Sequence, residues 1–335
     1  MIIGNILVNQ STKRKVIITG ACGYIGSHIS KALIHNGDYV IAIDLVCRGH
    51  TTKYFNKFVQ ADYDSDTVYN LLRQELPDVI IHCANYLSVG ESVVNPAIYY
   101  DNNVAKTARL LNVVRELPKY PVVVFSSSAS VYGSPHTIPI NEESIKSPIN
   151  PYGRTKLMIE QMLEDFDHAY GLRSASLRYF NACGADPYDS DLGQASGAGH
   201  IIARLLDCAI NNTEFTLNGT DFNTNDRTCI RDYIHVWDIA TAHLKVIDYL
   251  LKNNQSLRLN LGANLGYSNK DVIKTVKEIV GSIKINYGTR REGDPDCLIA
   301  DSTKAHNLLD WIPQYSTMPV IVDTAWKWYQ RRESI

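Results

Sequence analysis

The stretch Lys15-Val-Ile-Ile-Thr19-Gly20-Ala-Cys-Gly23-Tyr-Ile-Gly26 constrains the fold of this chain more than any other. Its first five residues read as a buried strand, and Ile25, Ile29, Ala32 and Leu33 then recur at helical spacing. Between them the glycines let backbone come close to a pyrophosphate lying at the amino end of the helix. Three glycines alone would mark an ordinary loop. Here a second strand, Tyr39-Val-Ile-Ala-Ile-Asp44, ends in an acid about 20 residues further on, where a carboxylate can accept a ribose 2′-hydroxyl. The reading is a dinucleotide site, with Asp44 favouring NAD over NADP, although Arg48 lies close by.

A second pattern carries chemistry. Tyr152-Gly-Arg-Thr-Lys156 sets a phenol and an ammonium four residues apart, on one face of a helix. An ammonium beside a phenol is expected to favour the phenolate and to pull its pKa down toward the range of a general base. The competing explanation for such a pair is a chance surface contact.

Apolar runs at Val16–Thr19, Val40–Ile43, Phe58–Ala61, Val79–His82, Val122–Ser126 and Ala175–Tyr179 alternate with helix-like segments. That rhythm predicts an α/β chain with a doubly wound parallel sheet. Past Asn181 the regularity stops in a Gly-, Asp-, Ser- and Pro-rich loop from Cys183 to Gly199. The expected division is a dinucleotide-binding domain over 1–181 and a smaller mixed α/β substrate lobe over 182–335, with part of 232–251 able to pack back on the first. Residues 1–13 are an extra segment, an added edge strand or a loose tail, too short and broken for a signal peptide or membrane span.

Composition narrows the class. Basic and acidic residues number 33 and 35, for a formal charge of −2, so neither nucleic acid nor a membrane surface is an expected partner. The cysteines at 22, 47, 83, 183, 208, 229 and 297 form no CxxC pair. They predict reduced thiols in a cytoplasmic protein, with neither disulfide framework nor metal site.

The motifs Gly20-x-x-Gly23-x-x-Gly26, Phe125-Ser-Ser-Ser-Ala-Ser-Val-Tyr-Gly133, Pro151-Tyr-Gly-Arg-Thr-Lys156, Leu177-Arg-Tyr-Phe-Asn181, Arg231-Asp-Tyr-Ile-His-Val236 and Arg290-Arg-Glu-Gly-Asp294 occur in one order. Together they resemble the extended short-chain dehydrogenases, specifically the UDP-glucose 4-epimerases, from about residue 14 to the chain end. The resemblance implies a Rossmann sheet, bound NAD, a UDP-sugar substrate and a homodimer. It also implies inversion at C4 of the sugar: a hydride passes to NAD, the 4-keto sugar turns over, and the hydride returns on the other face.

Residue roles follow from the same resemblance. Tyr152 would be the base, Lys156 would bind the nicotinamide ribose, and Ser128 would share the 4-hydroxyl proton. Gly20, Gly23, Tyr24, Ile25, Gly26, Asp44, Asp62, Tyr63, Ala84, Asn102 and Phe180 would join Tyr152 and Lys156 around the cofactor. Asn181, His200, Asn218, Arg231 and Arg291 would join Ser128 and Tyr152 around the UDP-sugar, the arginines on phosphate oxygens. Each has a plainer alternative. Ser128 could be satisfied by backbone, Asp62 could cap a helix and Asn102 could cap internally. Arg231 and Arg291 could be ion-paired with Asp232 and Glu292, and His200 could be structural.

Some positions depart from the resemblance. His82-Cys-Ala-Asn-Tyr-Leu87 has Leu87 where many of these enzymes carry a lysine, and Leu298 stands where residue bulk influences N-acetylated sugars. Asn218 replaces an aromatic of the uridine pocket. Ala129 and Ser130 leave no acid for the elimination step of 4,6-dehydratases. The expected reaction is UDP-glucose/UDP-galactose interconversion. UDP-N-acetylhexosamine or UDP-xylose/UDP-arabinose epimerisation is the alternative within the class, and a non-catalytic NAD-sensing protein the alternative outside it.

Overall fold

A computed structural model describes residues 14–195, 197, 199–290 and 294–332. The first half alternates: β1 Lys15–Thr19, α1 Tyr24–His35, β2 Tyr39–Asp44, β3 Lys57–Gln60, α2 Asp66–Glu75 and β4 Val79–His82. It continues with α3 Val89–Val94, α4 Pro96–Tyr99, α5 Lys106–Val114, β5 Val122–Ser128, α6 Pro151–Tyr170 and β6 Ser174–Tyr179. Strands β1, β2 and β4 are nearly unbroken apolar runs, as a sheet covered on both faces requires, whereas β6 alternates and buries Ser174, Ser176 and Arg178 among its apolar residues.

These strands pair in the order β6-β5-β4-β1-β2-β3, all parallel. The order reverses between β1 and β4, and the crevice outside the strand carboxyl ends opens there. One face buries Ile29 and Leu33 of α1 against the sheet; the other buries Leu71, Leu110, Ile159 and Leu163 of α2, α5 and α6. The expected strands are present, with β5 running two residues further, to Ser128.

The rest of the chain comprises β7 Asn181–Cys183, α7 Ile201–Ile210, β8 Phe215–Asn218, β9 Ile230–His235, α8 Val236–Asn253, β10 Leu257–Leu261 and β11 Gly266–Ser268. It ends with α9 Asn269–Val280, β12 Ile285–Gly288, β13 Cys297–Leu298, α10 Thr303–Leu309 and α11 Met318–Arg332. Strand β9 pairs with β7, β11 and β13, and β12 pairs with β8. Helices α7, α9 and α11 close a second apolar core around Leu205, Val276 and Ile321.

The chain does not stay in this second lobe. Helix α8 returns to pack Val246, Ile247 and Leu250 in the same core as α1, and β10 adds a seventh parallel strand outside β6. The sheet therefore takes its last strand from beyond residue 181. The alternation Leu257-Arg-Leu-Asn-Leu261 is a strand signal that the sequence reading passed over, and it does not show that β6 is the partner.

Candidate active site

The glycine turn is built as the spacing requires. Gly20 has φ +72°, and a Cβ there would stand 2.9 Å from Ala84 N, at the end of the neighbouring strand. A Cβ on Gly26 would meet Gly20 O at 2.2 Å. Helix α1 begins next to Gly23 with no side-chain cap and no acid in its first turn, so its leading N–H groups point unclaimed at the crevice. At the end of β2, Asp44 is oriented by Cys22 N at 2.9 Å and Val46 N at 3.2 Å. A bare helix start, a turn that only glycine can make and a fixed carboxylate beside it fit the pyrophosphate and ribose of NAD.

The other cofactor-side candidates frame the same crevice. Asp62 is held by Lys106 at 2.5 Å and by Asp64 N at 3.0 Å. It does not cap α2; Ser65 does, accepting from Val68 N. Tyr63 lies edge-on to His82, centroids 4.9 Å apart, and its hydroxyl donates to Asn102 O. Asn102 sits in a π-helical turn, Tyr100–Ala105, joining α4 to α5, a widening often found at functional sites. Ile25 is half-buried in the first turn of α1, and the Tyr24 hydroxyl donates to Gly184 O across the lobes at 2.7 Å. Phe180 is buried with Val131, Tyr132, Ile140 and Ala300.

Helix α6 starts at the carboxyl edge of the sheet because Asn150 caps it, accepting from Gly153 N at 2.8 Å, with Pro151 in its first turn. Tyr152 and Lys156 therefore face the crevice. Ser128, the last residue of β5, lies beside the Tyr152 hydroxyl and pulls that phenol's pKa down, while burial pushes it up more strongly. Ser128 Oγ also accepts from Ser130 N at 3.2 Å.

The expected partnership of ammonium and phenol is not what the structure shows. Lys156 Nζ lies 5.7 Å from the Tyr152 ring centroid and donates instead to Asn85 Oδ1 at 2.8 Å and Ser126 O at 2.7 Å. The phenol is thus raised by its surroundings, with Ser128 and not Lys156 as the opposing influence. Burial lowers Lys156 to about 7. The spacing placed the two on one face; it could not tell which acceptors the long lysine would choose.

Two residues the sequence reading did not single out complete this corner. Asn85 holds the lysine. Asn103, fully buried, ties down the loop before α3, accepting from Tyr86 N at 2.8 Å and donating to Tyr86 O at 3.1 Å, while also reaching Thr155 Oγ1 at 3.1 Å. A short Asn-Asn pair in a helical stretch was the available signal.

In the second lobe Asn181, His200, Asn218 and Arg231 line one pocket of about 210 Å³ with Thr216 and Asp294. Asn181 Nδ2 donates to Asp232 O at 2.7 Å. Arg231, 9% exposed, pairs with Asp294 at 2.5 Å and not with adjacent Asp232. The Asp232 carboxylate is taken by Ala263 N, Asn264 N and Ala300 N at 2.8, 3.0 and 3.1 Å. Leu298 pairs with Arg231 through β13 and β9 and packs on the Phe180 cluster. Leu87 is 68% exposed. Arg291 and residues 1–13 lie outside the described residues.

Asp186, Asp189 and Asp191 cluster at the lobe boundary, but cations already hold them. Lys31, fully buried, bonds Asp186 at 2.7 Å and Asp189 at 2.8 Å, and Lys53 and Arg331 bond Asp191. No helix among the described residues is long and apolar enough to cross a membrane.

Comparison with known proteins agrees with this construction. Residues 16–262 match the NAD dependent epimerase/dehydratase family. The UDP-glucose 4-epimerase of Lactobacillus helveticus is 41% identical over 323 residues, 94% of this chain and 97% of that protein. That of Rhizobium meliloti is 39% identical over 324 residues, 95% of this chain and 97% of that protein. The UDP-glucose 4-epimerase from Brucella ovis in complex with NAD superposes with a TM-score of 0.90 at 38% identity, covering 94% of this chain and 98% of that one. The enzyme from Bifidobacterium longum in complex with NAD+ and UDP gives a TM-score of 0.87 at 32% identity, covering 95% and 99%. With the glycine cradle, the Tyr152 corner and a match spanning most of its length, this chain belongs to the NAD dependent epimerase/dehydratase family.

Proposed function

We propose that this protein is a UDP-sugar 4-epimerase that interconverts UDP-glucose and UDP-galactose with NAD as its resident cofactor. What supports the reading is a pair of half-sites joined directly by the chain: Tyr152 and Ser128 beside the glycine cradle on one lobe, and, from Asn181 at the end of the Phe180 cluster onward, a pocket lined by Asn181, His200, Asn218 and Arg231 on the other. The first lobe would hold NAD through Gly20, Gly23, Gly26 and Asp44, and the second would hold the UDP portion.

When bound, oxidised NAD supplies the two-electron acceptor for C4 of the sugar and a positive charge that favours ionised Tyr152. The Tyr152 oxygen takes the proton of the 4-hydroxyl, with Ser128 beside the phenol to orient that hydroxyl. Lys156 keeps a cation nearby, and Phe180 and Leu298 pack into one apolar cluster with Val131 and Tyr132. Inverting one carbon requires a firm grip on nucleotide and a loose grip on hexose. Polar contacts should therefore concentrate on uracil and diphosphate, with Arg231 and Arg291 on the phosphates. Seven free cysteines suit a reducing compartment such as the cytoplasm, and the family relationship supports a homodimer.

The test is incubation of purified protein with UDP-galactose, UDP-N-acetylgalactosamine and UDP-xylose, without added NAD, and separation of products. Formation of UDP-glucose from UDP-galactose is expected. Conversion of the pentose alone would replace the substrate, and no conversion by protein confirmed to contain NAD would defeat the reading.

A further inference from the structure

The loop from Cys83 to Ser88 between β4 and α3 puts an amide beside the active-site ammonium. Asn85 N donates to Cys83 O at 2.8 Å, a tight turn that swings the side chain toward α6. Its Oδ1 then accepts from Lys156 Nζ at 2.8 Å. The other end of the amide is fixed, with Nδ2 donating to Ala84 O at 3.1 Å and facing His82 Nε2 at 3.3 Å. His82 in turn is locked by Thr19 Oγ1 at 2.8 Å and Thr107 Oγ1 at 2.9 Å. The oxygen of Asn85 is thus aimed by a chain of contacts running back to the glycine strand.

Lys156 depends on this aim. An ammonium has three donors and no acceptor, and two of them are taken by Asn85 Oδ1 and Ser126 O. The charged and titratable groups that surround it offer little compensation. Glu160 on its own helix is committed to Arg178, and Cys83 is a thiol raised by burial to about 11. His82 of β4 is neutral, lowered by burial to about 3, and Tyr179 of β6 is bonded to Ser126 and His243. Tyr152 is raised by burial, and the Phe125 ring, 4.8 Å away, adds only its face. In such surroundings neutral dipoles must keep the cation in place.

We propose that Asn85 is a positioning residue of this active site, its amide oxygen working with Ser126 O to hold Lys156 charged and in register with Tyr152. The idea rests on the epimerase reading for its functional consequence but not for its geometry. Leu87, two residues on, is exposed and apolar, so this loop brings an amide and no cation of its own to the crevice.

The test titrates the lysine directly. In protein labelled with [13Cε]lysine and carrying its NAD, Lys156→Arg identifies the Lys156 resonance, and its midpoint is followed with pH in parent, Asn85→Ala and Asn85→Asp. Loss of the acceptor should lower the midpoint by about one pH unit, and a carboxylate in its place should raise it. The alkaline decline of turnover should move in the same two directions, since a merely structural role would shift neither with opposite sign. Thermal unfolding confirms that both variants fold. An unmoved midpoint in Asn85→Ala overturns the proposal. Absence of epimerisation by the parent would defeat the functional reading and leave the titration to judge Asn85 alone.

Discussion

The Arg178 guanidinium on β6 clamps both carboxylate oxygens of Glu160 on α6, at 3.0 Å through Nε and 2.6 Å through Nη2, with neither side chain more than 2% exposed. Ser127 Oγ adds a third contact to Glu160 at 2.5 Å. Glu160 stands one helical turn beyond Lys156 and two beyond Tyr152, so the clamp fixes the rotation that aims all three. Glu160→Ala should strand a buried guanidinium and cost about 3–5 kcal/mol, read as a lower urea midpoint. In the folded fraction kcat should fall more than KM rises, because what is lost is aim.

Tyr152→Phe should fold and keep NAD yet lose about 10²–10⁴-fold in turnover, the usual worth of a placed proton acceptor. Ser128→Ala should also lower turnover and move the phenol further up, since Ser128 is the protein group that pulls it down. Near-normal rates in Tyr152→Phe would remove the phenol from the base role.

Gly26→Ala should abolish cofactor retention, because the added methyl would stand 2.2 Å from Gly20 O. The measurement is NAD released on acid denaturation of purified protein. Gly37→Ala is the control: its Cβ would meet nothing within 4 Å, so only its φ of +86° should be felt, as a modest loss of stability with NAD retained.

Arg231→Ala should raise KM for a UDP-sugar about 10- to 100-fold with a smaller change in kcat. Arg231→Lys should recover only part, since one ammonium cannot replace a forked donor. Equal losses in kcat and kcat/KM would place the guanidinium on the reacting sugar instead of the nucleotide.

Stability should fall as pH drops from about 6.5 toward 4. Burial lowers His82, His235 and His243 to about 3, 3 and 4, so the folded state refuses protons that the unfolded chain accepts. A group depressed in the folded state contributes fully above its unfolded pKa and loses that contribution as pH falls. Each of the three gives up as much as about 1.4 kcal/mol per unit. His28, also lowered by burial to about 4, adds to the three, while Asp232, raised by burial to about 6, works the other way over the same window with Glu142 and Asp238, both raised by burial. Urea denaturation at pH 7 and pH 5 measures the balance.

The first lobe was legible because its signals are local. A strand, three glycines and a helix fix one another within twelve residues, and the parallel strands announce themselves as apolar runs. Tyr152 and Lys156 were legible as a pair on one face, but their electrostatics were not, because burial and the choice of Asn85 and Ser126 as acceptors belong to the tertiary arrangement. Asp62 illustrates the same limit: a carboxylate ahead of a helix reads as a cap, yet Ser65 takes that place and Lys106 takes the carboxylate. Strand β10 carries the alternation of a strand, Leu257-Arg-Leu-Asn-Leu261, but no mark of its partner, which is the open side of β6.

That seventh strand has a consequence for how such a molecule can come into being. A ribosome that has delivered only the glycine strand, the tyrosine helix and β6 has made every reacting group of the first lobe while leaving one margin of the sheet bare, ready to pair with a stranger. The remedy is encoded some eighty residues later, after β7 to β9 have been laid down, since Leu257 pairs with Ala175 and Leu261 with Tyr179. The first lobe thus cannot finish its sheet without residues that follow most of the second lobe.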